Sequence, residues 1–471
     1  MAWLGVDLGT GGVRAVAVAA DGSVVGRGAR PLESRRAGPR HEQDPEQWWT
    51  AFGGACRDAV GAVPIEGVAI CATSGTIVLV DHEGAPRTAA LMYDDARGAE
   101  QARRLGTSPS WALAKLAWLV DERPELCAGA RLAHQPDFIG RRLTGRDVPV
   151  DSSHALKAGY DLRAEAWPAA VRGLGPAGLL PVVVRPGTVI GAVGAAGAAH
   201  AGLAVGTPLV AGMTDGCAAQ IAAGALRPGD WSSVLGTTLV LKGVAAAPLD
   251  DPAGVIYSHR APDGDWLPGG ASSCGAGALA AAFPDADLDR LTRAAADHEE
   301  TRVLAYPLVG GPGERFPFRA PGAEAFMLGE PAGDGERFAA LLRGLAFVER
   351  LCFDELDRLG ARVDGELTLS GGAAGNPYLC QLRADVLGRP VRLVKEGDSA
   401  FGMAILAASA GRTLTDTAAG MVSAAERFEP DPARTGRLAP GYARFVDELR
   451  RRGWLERGPA AHALARARPA A

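Results

Sequence analysis

Lysine is nearly missing from this chain of 471 residues, which carries only Lys115, Lys157, Lys242 and Lys395. None of them follows a glycine, so the Gly-Lys-Ser/Thr step of a P-loop is absent. The stretch Gly9-Thr-Gly-Gly-Val-Arg14 lacks the third glycine of a dinucleotide fingerprint and leads into strand-like residues, not a helix. Cysteine is sparse: the seven (Cys56, Cys71, Cys127, Cys217, Cys274, Cys352, Cys380) include no Cys-x-x-Cys pair. That pattern argues against zinc sites and disulfides and fits reduced core thiols in a cytoplasmic protein. No charge of one sign dominates. A net charge of −5 leaves no electrostatic footprint for nucleic acid or an anionic membrane. The N-terminus has no basic region and Asp7 interrupts its first apolar run, so no signal peptide is expected. One uncharged span, Pro186 to Thr214, is glycine-rich and contains His200 and Pro208. It reads as a buried β–turn–helix–β segment, not a membrane helix.

The chain does have a repeated local design. Trp3 to Val18 and Trp231 to Gly243 each read apolar strand, Gly-Thr turn, apolar strand, with turns at Gly9-Thr10 and Gly236-Thr237. Backbone N–H groups and a threonine hydroxyl at such a bend suit phosphate oxygens. The duplication predicts two related lobes gripping one polyphosphate. A hydrophobic content of 47% is ample for two cores.

Asp21-Gly22 supplies a turn to a third strand ending near Arg30. Asp44-Pro45-Glu46-Gln47 has the form of a helix start, with Asp44 as N-cap, Pro45 at N1 and Gln47 placed for a capping box. Gly67 to Cys71 reads as a buried strand followed by Thr73-Ser74-Gly75-Thr76, and helical patterns cover Pro109 to Glu122 and Pro136 to Leu143. A strand from Thr207 to Gly212 leads to Met213-Thr214-Asp215-Gly216 and a helix from Cys217. A long amphipathic helix, Gly335 to Leu359, precedes strand Glu366 to Leu369. The alternation predicts an α/β protein with domains at 1–225 and 226–450, and a frayed tail at 451–471.

Several segments, in order, resemble the FGGY family of carbohydrate kinases: Gly5-Val-Asp-Leu-Gly-Thr10, Gln43-Asp-Pro-Glu46 with Trp48-Trp49, Tyr93-Asp94-Asp95-Ala96-Arg97, Leu143-Thr-Gly145, Leu235-Gly-Thr237, Gly313-Glu-Arg-Phe-Pro317 and Ser370-Gly-Gly372. The resemblance implies two RNase H-like domains of the actin/Hsp70-like ATPase fold flanking a cleft. It also implies ATP, Mg2+ and transfer of the γ-phosphoryl group to a sugar or polyol hydroxyl. On this resemblance Asp215 is the catalytic base, and Asp7 organises Mg2+ through water. Thr10, Gly11, Gly12 and Arg14 form the first phosphate motif, Gly236 and Thr237 the second, and Gly371 and Gly372 the adenosine motif, with Asn376 bordering the base. Structural alternatives exist for each: a helix N-cap for Asp215, a strand-end ion pair with Arg14 for Asp7, a plain loop for the glycines.

The sugar side departs from xylulokinases, whose Ser-Gly-Gln-Met-His-Gly is here Ser74-Gly75-Thr76-Ile77-Val78-Leu79. Other pieces resemble pentulose kinases of the D-ribulokinase type: His134-Gln135 with Asp137 and Phe138, Ala155 to Asp161, Thr237 to Lys242, Gly269 to Ser273 and Tyr306-Pro-Leu308. D-ribulose is therefore the expected acceptor, bound by Asp94 and Asp215 with Thr73 and Ser74 next, while a solvated helix start with an ion pair is the plain alternative for Asp94 to Arg97. His134 is expected to be a structural hydrogen-bonder. A xylulokinase or other polyol kinase, and a non-catalytic actin-like ATP-binding protein, remain alternatives. The expected partners are a small sugar and ATP, with no nucleic acid and no membrane. The residues leave the oligomeric state open, a homodimer being one option.

Overall fold

The computed structural model describes residues 1–311 and 313–467. The chain forms two compact units: Met1–Gly224 with His259–Asp265 and Glu396–Val422, and Ala225–Ser258 with Trp266–Lys395 and the described residues from Ser423 on.

The first unit is built on a six-stranded sheet of β1 (Ala2–Leu8), β2 (Gly12–Ala19), β3 (Val24–Pro31), β4 (Ile65–Ala72), β5 (Val189–Ala192) and β6 (Pro208–Val210), in the order β5-β6-β4-β1-β2-β3. β1, β4 and β6 run parallel, whereas the β1–β2–β3 meander is antiparallel. Central strands β1 and β4 are buried along nearly their whole length, as near-continuous apolar runs require. Helix Pro45–Val60 starts as its sequence dictates, the Asp44 carboxylate accepting the Glu46 N–H. Gln47 closes no capping box; its amide pairs with both backbone groups of Glu33. The segment after Pro186 forms strand, helix (Ala195–Ala201) and strand as expected, but β5 is an edge strand with Val189 54% exposed.

The second unit repeats the topology with β7 (Trp231–Leu235), β8 (Leu239–Gly243), β9 (Tyr257–Arg260), β10 (Trp266–Ala271), β11 (Leu367–Ser370), β12 (Val391–Val394) and β13 (Ala424–Phe428). Its order is β9-β10-β8-β7-β11-β12-β13. Here too an antiparallel hairpin, β7–β8, lies beside a parallel pair, β7–β11, and an antiparallel edge closes that side. In neighbour order and strand direction β10-β8-β7-β11-β12-β13 matches β3-β2-β1-β4-β6-β5, although the edge strand β5 precedes β6 in the chain while β13 follows β12. Helix Asp334–Arg358 packs its apolar face into the core of this unit.

Two boundaries differ from the sequence expectation. Helix Ser399–Ala408 belongs to the first unit, not to a domain spanning 226–450. It lies directly on β1 because Gly5 has no side chain: a Cβ there would sit 1.8 Å from the Ala400 carbonyl oxygen. The expected tail is also structured. Helix Arg457–Ala467 buries Ala460, Ala463 and Ala467, an i, i+3, i+7 face of methyl groups. Residues 468–471 of that expectation lie outside the described residues. All seven cysteines are free and buried. No described helix is long and apolar enough to cross a membrane.

Candidate active site

In the first unit, the carboxyl ends of three adjacent parallel strands converge, the usual place for a ligand in an open α/β sheet. Asp7 at the end of β1 is in register with Cys71 on β4, and Ala72 bridges to Thr214 beyond β6. Asp7 is 2% exposed. Its carboxylate accepts from Arg14 Nη2 at 2.5 Å and from the Cys71 thiol at 3.6 Å. Burial pushes its pKa up; Arg14 opposes this and the nearby Asp215 carboxylate adds to it. Asp7 and Asp215 are thus within electrostatic reach of each other.

Thr214, not Asp215, is the N-cap of helix Asp215–Ala222. Asp215 occupies the first helical position, partly exposed, with Oδ1 accepting the Gly216 N–H at 2.8 Å. The Ser399 hydroxyl donates to the Asp215 carbonyl at 3.1 Å. The capping alternative for Asp215 is therefore not how the helix is built.

The Gly9–Gly12 turn is tied down at both ends. Gly9 N–H donates to the Gly12 carbonyl, the Gln43 amide to the Thr10 carbonyl and Leu32 N–H to the Gly11 carbonyl. Gly11 faces open space, and a Cβ at Gly12 would meet the Arg30 carbonyl at 2.7 Å. The turn is thus rigid underneath and open above.

Thr73 and Ser74 follow β4 and are half-buried; the enclosed Ser74 hydroxyl has no hydrogen-bond partner among the described residues. Asp94 sits on a turn, not a helix start, with its carboxylate held by Arg36 at 2.9 Å and by His41 Nδ1. Burial opposes its ionisation, but these two donors outweigh it and hold the pKa below the usual value. The neighbouring Asp95 is fully buried and forked by Arg97, so that ion pair is not solvated. Lys115 lies under this turn, its ammonium donating to the carbonyls of Tyr93, Pro109 and Trp111.

Ile77 and Val78 are 0% exposed, packed in apolar clusters. Neither offers a polar group to a sugar hydroxyl. His134 is structural, as expected: it is the N-cap of helix Gln135–Thr144, its N–H donating to Asp137 and its Nδ1 facing the Thr76 carbonyl. Burial, then the nearby His154, push its pKa down to about 4.

In the second unit, the Gly236-Thr237 turn closes the β7–β8 hairpin, and its two carbonyls accept from Ala276 and Gly277 N–H. Thr237 is exposed. Gly371 follows β11 with φ of 86°, and a Cβ there would lie 2.6 Å from the Leu235 carbonyl, so only glycine fits. Gly372 is open and starts a short 3-10 turn. Asn376 caps helix Pro377–Leu387 through Leu379 N–H and donates to Thr292, so its amide is engaged in the scaffold at both ends.

Several residues in unit 1 were not legible as site components: Arg36 and His41 beside Asp94, and a buried group of Asp151, Ser153 and His154 behind Thr214. The spacing Asp151-Ser-Ser-His154 has the form of a side-chain-capped helix start, the one signal available.

A duplicated sheet with a Gly-Thr hairpin in each copy defines the two-domain α/β class of the actin/Hsp70-like ATPases. Comparison with known proteins narrows this. The profile of the N-terminal domain of the FGGY family of carbohydrate kinases matches residues 2–222, and that of the C-terminal domain residues 232–411. A xylulose kinase of Streptomyces coelicolor is 31% identical over 463 residues, covering 90% of this chain and 93% of its own. The crystal structure of xylulose kinase from Rhodospirillum rubrum superposes with a TM-score of 0.86 at 26% identity, covering 96% of this chain and 99% of that one. Ligand-bound xylulose kinase from Lactobacillus acidophilus shares the fold (TM-score 0.88, 18% identity, 96% and 98% coverage). The chain belongs to the FGGY family of carbohydrate kinases. It is an ATP-dependent sugar phosphotransferase.

Proposed function

We propose that the protein transfers the γ-phosphoryl group of ATP to the primary hydroxyl of a 2-ketopentose, with Asp215 as general base. The observation that carries this is the placement of Asp215: partly exposed at the carboxyl edge of the parallel strands, on the first turn of a helix whose cap is another residue. Phosphoryl transfer asks a protein mainly for positioning, charge neutralisation and a proton acceptor. Asp215 takes the hydroxyl proton as that oxygen attacks phosphorus. Thr73, Ser74 and Asp94 hold the remaining hydroxyls, the partnerless Ser74 hydroxyl being the clearest candidate.

Thr10, Gly11, Gly12 and Arg14 are assigned to phosphate oxygens, as are Gly236 and Thr237, and the bare backbone at Gly371 and Gly372 to adenosine. Asn376 serves the shape of that loop through its cap. Mg2+ fits the carboxylates of the first unit. Among the described residues no cluster of three or more His, Cys, Asp or Glu could hold a metal alone. Asp7 with Asp215 suits an ion that keeps its water and takes further oxygens from phosphate. When bound, it supplies charge neutralisation at the phosphates. Asp7 would hold the ion through its water, and Arg14 partly offsets the effect of burial on the Asp7 carboxylate.

The names of the relatives favour D-xylulose as acceptor. D-ribulose rests on the motif pieces around residues 134–161, 237–242, 269–273 and 306–308 and on the apolar residues at 77 and 78. Asp215→Asn tests the base assignment: ATP-dependent thermal stabilisation is retained while turnover falls by ~10²-fold or more. A variant keeping more than about a tenth of wild-type turnover overturns it.

A further inference from the structure

Behind the two loops assigned to sugar and base lies a polar group with no contact to either ligand in that assignment. Asp151, Ser153 and His154 are all essentially buried. Asp151 Oδ1 accepts the Ser153 N–H at 3.0 Å, the Ser153 hydroxyl at 2.6 Å and the His154 N–H at 3.0 Å, and its Oδ2 faces His154 Nδ1 at 2.6 Å. The Ser153 oxygen in turn accepts the Thr214 N–H at 2.9 Å. His154 Nε2 faces the Ala72 carbonyl at 3.3 Å.

The chemistry of these partners fixes the protonation. A backbone carbonyl can only accept, so Nε2 carries a proton; an ionised carboxylate can only accept, so Nδ1 carries one too. His154 is therefore an imidazolium paired with the Asp151 carboxylate, and every polar atom of the ring has a partner. Such a buried pair is costly to desolvate and rarely a net source of stability. Its placement suggests what it does instead. Through Ser153 it grips Thr214, the residue before the proposed base; through the imidazolium it grips Ala72, the residue before Thr73 and Ser74. The two strand ends are also joined directly by the Ala72–Thr214 bridge.

We infer that Asp151, Ser153 and His154 are positioning residues that hold the sugar loop after Ala72 and the base loop after Thr214 in fixed mutual register. This rests on the reading of Asp215 as the base. Transfer requires the attacking oxygen, held by one loop, to meet the carboxylate carried by the other. A displacement of about 1 Å can lower the rate by ~10²-fold without a lost contact to either substrate.

Ser153→Ala removes the acceptor for Thr214 N–H with little change in volume; Ser153→Thr keeps it. In Ser153→Ala, kcat falls by ~10- to 100-fold and sugar KM rises, while the ATP concentration giving half-maximal thermal stabilisation changes less than about twofold. Ser153→Thr recovers most of kcat. His154→Gln, which cannot donate at both ends, behaves as Ser153→Ala does. The decisive arm is the double variant: in an Asp215→Asn background, Ser153→Ala has no further effect on kcat, because there is no base left to aim. Additive losses, or ATP binding that weakens in parallel, mean a general structural role and overturn the inference. So does a Ser153→Ala enzyme within about twofold of wild-type kcat when Asp215→Asn is dead. If Asp215→Asn itself stays active, the base assignment has failed, whatever Ser153 shows.

Discussion

Asp7 and Arg14 are cross-strand partners on the first hairpin, and the guanidinium of one closes on the carboxylate of the other at 2.5 Å across the turn that carries Thr10 to Gly12. Asp7 is buried while the Arg14 side chain is 62% exposed, so the arginine can exchange this partner for an incoming phosphate. The first phosphate turn and the carboxylate assigned to the metal are therefore coupled through one side chain. Either role alone, ion pair or phosphate contact, is an incomplete description of Arg14.

That coupling gives a pH prediction. Burial raises the pKa of Asp7, and Arg14 is the chief influence lowering it. Removing the cation must raise it further, as loss of an adjacent opposite charge does for a carboxylate. In Arg14→Ala the acidic limb of the kcat/KM profile should move to higher pH, and in Arg14→Lys it should move less. An acidic limb that stays in place would show that the ionisation of Asp7 does not limit the reaction.

Thr237 offers a cleaner test of the second hairpin because it is exposed. A ligand that binds the native state stabilises it by mass action, by ~2.7 kcal/mol at a hundredfold excess over Kd. Thr237→Trp should leave the melting temperature without ligand unchanged and abolish most of the ATP-dependent rise. An unaltered ATP-dependent shift in that variant would remove the Gly236-Thr237 turn from the nucleotide site.

Both turns are readable from the sequence because a Gly-Thr step between two apolar alternations is a local signal; each hairpin is one continuous stretch, with partners at most 17 positions apart, as between Ala2 and Ala19. The polar groups behind them are not. His154 acts on Ala72 and Ser153 on Thr214, and no local pattern reports a bond spanning that much chain. The packing of helix Ser399–Ala408 is illegible for the same reason: its resting place is Gly5, at the other end of the sequence. Helix Arg457–Ala467 was missed because its buried face is alanine within an alanine-rich segment, where a helical period gives no contrast. Ile77 and Val78 are both wholly buried, as their own hydrophobicity implies.

Lys115 predicts a stability profile. Its ammonium is buried beneath the Asp94 turn, and desolvation lowers its pKa from 10.5 to about 7, with Lys157 adding to the effect and Asp95 and Asp94 opposing it. The folded-state value lies below the unfolded one. Between about pH 7 and 10.5 the unfolded chain therefore holds a proton that the folded chain has released. Stability from this group rises with pH across that window, by at most ~1.4 kcal/mol per unit. Lys115→Met should lose this slope, so urea unfolding at pH 7 and pH 9 should show the wild type gaining on the variant at the higher pH. A constant difference between the two proteins would mean that Lys115 titrates as an ordinary lysine.

Acceptor choice turns on a single centre, since D-xylulose and D-ribulose differ only in the configuration at C3. A site built to pair one hydroxyl leaves a buried polar group unmatched when the epimer binds, at ~1–3 kcal/mol, or roughly 5- to 150-fold in kcat/KM. Asp94 is equipped to make that distinction: His41 and Arg36 fix its carboxylate in one orientation and keep it ionised. We expect D-xylulose to have the higher specificity constant by at least about fivefold, and glycerol and six-carbon acids to react poorly. Asp94→Asn keeps the shape of the side chain but loses the charge and the ordering by His41 and Arg36, so the ratio between the epimers should contract toward one while the ATP-dependent thermal shift stays the same. Initial rates of ADP formation at equal, subsaturating sugar concentrations measure both quantities. A higher specificity constant for D-ribulose would leave the kinase assignment intact and show that the segments at 134–161 and 237–242 carry the specificity. A ratio indifferent to Asp94→Asn would place the C3 contact elsewhere, with Thr73 and Ser74 next in line.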